Sequence, residues 1–337
     1  MTILEPSTNE PPPASAVRGA RLGVTPDQRR ILYAIVAAIL LFFIGGLIRP
    51  GFSSPSGIAA VLTVACFVGL VAAGQTFVIL IGGIDLSVPW TLNAGAILMM
   101  STAANSDARM PFALLVTLGM GALVGLCNGV GIAVFGVPAV VMTLAMNGVL
   151  EGLTLGLSGG LTCSSCAAYA PPLLQAAAHG TILGIPAILY LWLGVILLAS
   201  FILSFTTFGR GTYAIGNGAR ASYLAGVNVT RTTIILYVIS GAFSALAGIM
   251  ILGFGGQAAL GLGDPYLFQS IAAAVIGGVY ILGGRGHYVG TVAGSISLVA
   301  LVSVLMAMNM PEYGRSITYG VIILVLLLAY GRETAER

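Results

Sequence analysis

The chain has 337 residues, of which 7% are charged and 58% hydrophobic, and all 13 of its basic residues are Arg. An ordinary soluble domain carries roughly 25% charged residues, so this chain cannot cover a water-facing surface, and its apolar content excludes a disordered one. The absence of Lys excludes a P-loop and a Schiff-base or lysine-base site, so if ATP drives the protein, another chain binds it.

Residues 1–30 read as a polar, Pro-rich, disordered cytoplasmic tail that ends in Arg29-Arg30. The apolar run 31–48 that follows has 18 residues. That exceeds a signal-peptide core of about 7–15 residues, so it reads as a retained first span. At roughly 20 residues per span, membrane helices are expected near 31–48, 58–82, 90–105, 112–134, 138–157, 181–205, 232–253, 267–283, 288–309 and 316–330. Segment 58–82 is compatible with a broken helix, and 90–105 is short. Residues 31–330 thus form a transmembrane domain and 331–337 a cytoplasmic tail. The fold class is all-α, a polytopic membrane protein of about ten transmembrane helices.

Arg placement orients it. With both termini on one side, that side holds Arg18, Arg21, Arg29, Arg30, Arg210, Arg220, Arg231, Arg285, Arg332 and Arg337. The other side holds only Arg49, Arg109 and Arg315. By the positive-inside rule both termini are cytoplasmic.

Cys66 and Cys127 lie in apolar runs and read as inert small hydrophobes. Cys163 and Cys166 have redox or zinc-knuckle spacing, but no second pair or paired His completes a metal site. They read as loop cysteines, open to a disulfide outside the cell. Glycines recur every four residues at 121, 125 and 129 and again at 286, 290 and 294. That spacing puts each set on one helix face, where a neighbouring backbone can approach closely. Leu80-Ile81-Gly82-Gly83 is echoed by Ile281-Leu282-Gly283-Gly284, a weak sign of internal duplication.

The turn Gly82–Pro89 joins two apolar runs with almost no polar loop. Ser87 is a natural N-cap, Pro89 suits a first helical turn, and Asp85 complements the helix dipole. The same residues also read as a hinge or gate near the cytoplasmic end of a pathway. Glu151 is an acid deep within an expected span, a functional candidate by default. It either lines the pathway with Asn147, one turn earlier, or hydrogen-bonds to a neighbouring helix. Gly156-Leu157-Ser158-Gly159 fits a serine-protease tetrapeptide with His179 as an imaginable base, but the two residues are not placed on adjacent spans. The loop Thr206–Arg231 is far longer than a plain connector of about two to eight residues. Its stretch 219–225 can form a short helix closed by Gly226, which makes the loop a docking surface for a cytoplasmic partner.

Several segments together resemble the permease subunits of ribose-type ABC sugar importers. They are GGIDLSV at 82–88, the run around Pro138 with Thr143-Leu144, GRGTYAIGNGARASYLAGV at 209–227, SGAFSALAGI at 240–249 and IGGVYILGGRGHYVGTVAGS at 276–295. The resemblance implies two permease chains, as a homo- or heterodimer, two ATP-binding cassette subunits below and a periplasmic or extracellular sugar-binding protein above. It places the assembly in the bacterial inner membrane. It also makes 209–227 the ATPase-coupling loop, with Arg210, Gly216, Asn217, Arg220, Ala221 and Gly226 as its candidates. Asp85, Ser87, Asn147 and Glu151 are the pathway or gate candidates. Departures are Glu151-Gly152 in place of Arg-Gly, Pro89 in place of Gly, Val279-Tyr280 in place of a small polar pair, and the cysteine loop.

The function expected is therefore translocation of a sugar or sugar-like solute, with no catalysis and no cofactor in this chain. Membrane lipid is its surroundings, and no nucleic-acid partner is expected. One rival is a proton-coupled secondary transporter using Asp85 and Glu151. The other is an intramembrane hydrolase built on Ser158.

Overall fold

The computed structural model describes residues 26–160 and 169–335. Cys163 and Cys166 lie outside the described residues. Thirteen α-helices are seen among the described residues: α1 (Pro26–Ile48), α2 (Pro55–Leu80), α3 (Val88–Ala103), α4 (Met110–Ala133), α5 (Ala139–Ser158), α6 (Pro172–His179), α7 (Ala187–Phe205), α8 (Thr207–Asn217), α9 (Ala219–Leu224), α10 (Val229–Gly255), α11 (Asp264–Ile276), α12 (Tyr288–Ala307) and α13 (Glu312–Ala335). A two-residue hairpin, β1 (Thr181–Ile182) and β2 (Ile185–Pro186), precedes α7.

Seven helices among the described residues are long and apolar enough to cross a membrane: α1, α2, α4, α5, α7, α10 and α12. Two of the ten expected spans are short helices, α3 with 16 residues and α11 with 13. The chain expected to extend α11 to 283 turns instead at Gly277 and Gly278, where Gly278 has φ +88°. Likewise the expected span 181–205 begins only at Ala187. Leu183 and Gly184 both have positive φ and close the hairpin in the way two-residue turns favour. Segment 58–82 is not broken, since α2 runs unkinked by any Pro or cis peptide from Pro55 to Leu80.

The bundle is organised around α2, which is buried without a break from Ala65 to Leu80. It packs against α7, α10, α11 and α12. Since lipid offers little hydrophobic reward for helix association, close backbone approach and polar contacts must hold such a core. Both are present. Gly69 leaves room for the Trp192 ring, 2.5 Å from where a Cβ would stand. The Trp192 indole donates to Tyr288 Oη at 3.1 Å, and Tyr288 donates on to the Gly69 carbonyl at 2.8 Å. Thr76 and Thr291 hydroxyls join α2 to α12 at 2.8 Å.

The glycine spacings divide. Gly121, Gly125 and Gly129 all face α10: a Cβ on Gly121 would lie 2.5 Å from the Gly241 carbonyl, and one on Gly129 2.7 Å from Ile234 Cα. This makes α4–α10 the most extensive helix pair. In the second set only Gly290 and Gly294 lie on a helix, packed against Ala273 of α11 and Gly277 just after it. Gly286 sits in the preceding loop at φ +115° and does not continue their face. Cys66 is buried, and Cys127 is exposed on the outer face of α4.

Candidate functional site

The turn between α2 and α3 carries a cluster of buried polar groups. After Leu80 the chain reverses at Gly82, whose φ is +78°. Gly83 admits the Tyr237 side chain, with Oη 2.6 Å from a hypothetical Cβ. Asp85 then enters the protein at 1% exposure. Its Oδ1 accepts from the Ser87 amide at 3.0 Å and the Ser87 hydroxyl at 2.6 Å, and its Oδ2 accepts from Ser240 of α10 at 2.7 Å. Asn128 of α4 donates to the Ser87 hydroxyl at 2.9 Å. One carboxylate thus ties the turn to α10 directly and to α4 through Ser87. Burial raises the Asp85 carboxyl above the usual carboxylate range, while the hydrogen bonds from Ser87 and Ser240 act the other way.

Ser87 is therefore not an N-cap by its side chain. It has αR geometry and makes no side-chain bond to the helix amides. Its hydroxyl instead donates to Asp85 at 2.6 Å and accepts from Asn128 at 2.9 Å, so both its proton and its oxygen are engaged away from the helix amides. Pro89 does occupy the first turn of α3.

Helix α5 is pinned to the same turn from outside. Thr143 Oγ1 accepts from the Leu86 amide at 3.0 Å, and Asn147 Oδ1 accepts from the Trp90 amide at 3.3 Å. Asn147 thus positions the start of α3. Glu151, one turn further along, is exposed on the outer face of α5 and does not join it. No hydrogen bond among the described residues links Glu151 to Asp85. The hydrolase pair is also absent as a pair: Ser158 bonds the Leu155 carbonyl, while His179 bonds the Phe254 carbonyl at 3.0 Å and stacks on the Phe254 ring.

The second polar region is the segment after α7. Thr206 caps α8, accepting from Gly209 N at 3.1 Å. Gly226, at φ +85°, closes α9, as its place in sequence predicts. Gly216 has no room for a side chain, because its Cα lies against the Leu80 carbonyl and the Gly284 backbone. Asn217 Nδ2 donates to the Tyr213 carbonyl at 2.8 Å and the Gly284 carbonyl at 3.2 Å. Gly284 N in turn donates to the Leu80 carbonyl at 2.8 Å. The six coupling candidates therefore split. Gly216 and Asn217 form a joint with the interior, while Arg210, Arg220, Ala221 and Gly226 are exposed. Tyr223 and Leu224 at the tip of α9 are 70% and 79% exposed.

Sequence reading missed Asn128, Tyr237 and Ser240. Asn128 lies on α4 and the other two on α10, each within a largely apolar stretch, and only the packing of these helices brings them to Asp85. It also missed Gly148, Gly152 and Gly156 on α5, although the four-residue spacing was there to find. A Cβ at any of the three would meet nothing within 4 Å, so this face has no neighbour within the described residues.

Residues 57–326 match the model of a family described as branched-chain amino acid transport system / permease component. Ribose import permease protein RbsC of Haemophilus influenzae is 33% identical, with 88% of this chain and 91% of that protein covered. Autoinducer 2 import system permease protein LsrC of Escherichia coli is 32% identical over 91% of this chain and 88% of that protein. Its counterpart in Salmonella typhimurium is 31% identical over 91% of this chain and 87% of that protein. No solved structure matches the chain.

Proposed function

This chain is a member of the branched-chain amino acid transport system / permease component family, and we propose that it carries a sugar or sugar-like solute across the inner membrane. It is a multi-pass permease without catalysis of its own, and ATP hydrolysis belongs to separate subunits. The substrate class follows the relatives, one named for ribose and others for autoinducer 2.

In this proposal both termini face the cytoplasm and ten segments cross or enter the membrane, α3 and α11 being the short ones. A second permease chain covers the glycine face of α5, and a binding protein delivers solute from the opposite side. The Arg distribution supports the orientation. The open Gly148–Gly156 stripe, with its small-residue spacing, supports the second chain.

The observation that carries the proposal is the path from α9 to Asp85. The exposed tip of α9 offers apolar and basic groups to a cytoplasmic partner. Its neighbour α8 rests through Gly216 on the Leu80 carbonyl, where the turn to Asp85 begins, and through the Asn217 side chain on the Gly284 carbonyl. A push on α9 therefore reaches the gate turn through the close contact of Gly216 with the Leu80 carbonyl, backed by the Asn217 bond to Gly284.

Copurification with the cassette subunit tests this. Replacing Tyr223 and Leu224 by Ser is expected to abolish copurification and ATP-dependent uptake of labelled ribose or autoinducer 2, with membrane insertion unchanged. Undiminished uptake by that variant would remove the coupling role.

A further inference from the structure

At the end of the bundle that carries α8, a cavity of about 400 Å³ opens between the start of α1, the end of α11 and the loop into α12. Its wall includes Ile31, Tyr213, Gly278, Arg285, Gly286 and His287. We propose that this pocket binds a phosphate-bearing anion, either a lipid headgroup or a free phosphate.

The size lies within the ~300–1,000 Å³ of small-molecule sites. The charge is one-sided: Arg285 lines the pocket, the Arg30 side chain lies along Gly278, and no acid is among the lining residues. A Cβ on Gly278 would stand 2.8 Å from Arg30 Cβ, so the glycine brings this second Arg stem against the pocket wall. The guanidinium fork matches phosphate oxygens two at a time, which an ammonium group cannot do. Basic pockets between membrane helices on the cytoplasmic side are a recurring way to hold anionic headgroups.

The wall is also built to keep its shape. His287 Nδ1 accepts from Val289 N at 3.2 Å, which leaves Nε2 to carry the proton toward Ser204 Oγ at 2.9 Å. The imidazole is thereby fixed as one neutral tautomer, and it links the loop to α7. Tyr213 donates to the Gly286 carbonyl at 2.8 Å and links the same loop to α8. An anion bound to Arg285 therefore sits against the element that carries the coupling segment. Arg285 itself is exposed at the mouth and free to swing onto a ligand.

The test uses the full chain, stripped of lipid and placed in nanodiscs of phosphatidylcholine with and without phosphatidylglycerol. Retained lipid is counted by native mass spectrometry. A parallel sample in detergent is titrated with inorganic phosphate and followed by thermal unfolding. Wild type is expected to retain phosphatidylglycerol over phosphatidylcholine, or to be stabilised by phosphate, and Arg285→Gln to lose about tenfold in affinity for the same ligand. Retention of the lipid without a phosphate effect identifies a headgroup; a phosphate effect without lipid preference identifies a free anion. Arg109→Gln removes the same charge outside the pocket lining and should behave as wild type. If Arg285→Gln equals wild type in both arms, or if Arg109→Gln loses as much as Arg285→Gln, the site is overturned. Binding is read without transport, so this outcome is independent of the permease function.

Discussion

The amide of Gly284 donates to the carbonyl of Leu80 across 2.8 Å, so the two Gly-Gly turns that echo each other in sequence are bonded to each other in space. Gly283 and Gly284 have φ of +90° and +77°, and Gly82 has +78°, a conformation that costs L side chains roughly 1–2 kcal/mol. Gly216 of α8 closes the joint from the third side. Three chain segments thus meet by backbone alone.

Substitution at this joint should uncouple the protein rather than unfold it outright. Gly216→Val would drive two methyls into the Leu80 carbonyl and the Gly284 backbone, an overpacking cost of about 1–3 kcal/mol. The expected result is a correctly inserted chain whose solute uptake per ATP hydrolysed falls at least several-fold. Measuring uptake and hydrolysis in the same proteoliposomes checks this; an unchanged ratio would show that motion enters elsewhere.

Asp85 separates the permease from a proton-driven carrier. Asp85→Ala strands the Ser87 and Ser240 hydroxyls in the interior, with a stability cost of about 1–3 kcal/mol for each donor left unpaired. Asp85→Asn keeps the shape and one acceptor oxygen, so it should melt closer to wild type. Wild-type uptake should survive an uncoupler as long as ATP is maintained. Collapse of uptake under those conditions would favour the proton carrier instead.

The two glycine faces predict opposite responses. Gly125→Leu would meet the Tyr237 carbonyl and Val238 Cα, the latter 2.7 Å from the new Cβ, and should lower stability by more than about 2 kcal/mol in a thermal melt. Gly152→Leu meets nothing within 4 Å and should leave the melting of the isolated chain intact. It should nevertheless weaken the proposed pairing with a second permease chain, seen as a shift toward monomer in native mass spectrometry or cross-linking. A dimer that tolerates Leu at 152 would place the second chain on another face.

The His287 cap makes the α7–α12 contact sensitive to acid. Burial lowers the imidazole pKa below its usual value, so the folded state resists protonation more than the unfolded chain does. Stability is then fully present above the unfolded pKa of about 6.5 and is lost as pH falls toward the folded value. Protonation also turns the Nδ1 acceptor for Val289 N into a donor. The melting temperature should therefore drop on going from about pH 7.5 to about pH 5.5, and His287→Asn should flatten that slope. Because the ring is partly exposed, the drop is modest. A slope of equal size in the variant would assign it to other groups.

Much of the architecture was legible in residue patterns. Apolar runs near 20 residues located the long helices, because bilayer thickness fixes their length. Gly121, Gly125 and Gly129 announced a close helix contact, and Gly226 marked the end of α9. The short elements were less legible. Leu183-Gly184 turned a stretch as apolar as its neighbours into a hairpin, and Gly277-Gly278 stopped α11 early, since hydropathy averages over the single residues that set φ. Ser87 had the composition of a cap, but its αR backbone and its bonds to Asp85 and Asn128 hold its hydroxyl away from the helix amides.

By itself the sequence determined that this chain lives in a membrane and that it has no P-loop of its own, because both follow from residue counts that no fold can change. It also marked Thr206–Arg231 as more than a plain connector, because segment length and a short helix closed by Gly226 are local properties. Which groups meet was decided only by the tertiary structure. Packing of α4 and α10 brought Asn128 and Ser240 to the Asp85 cluster, and packing of α8 on α2 set Gly216 on the Leu80 carbonyl. Each of these contacts joins residues far apart in the chain, and only the close approach of helix backbones selects them.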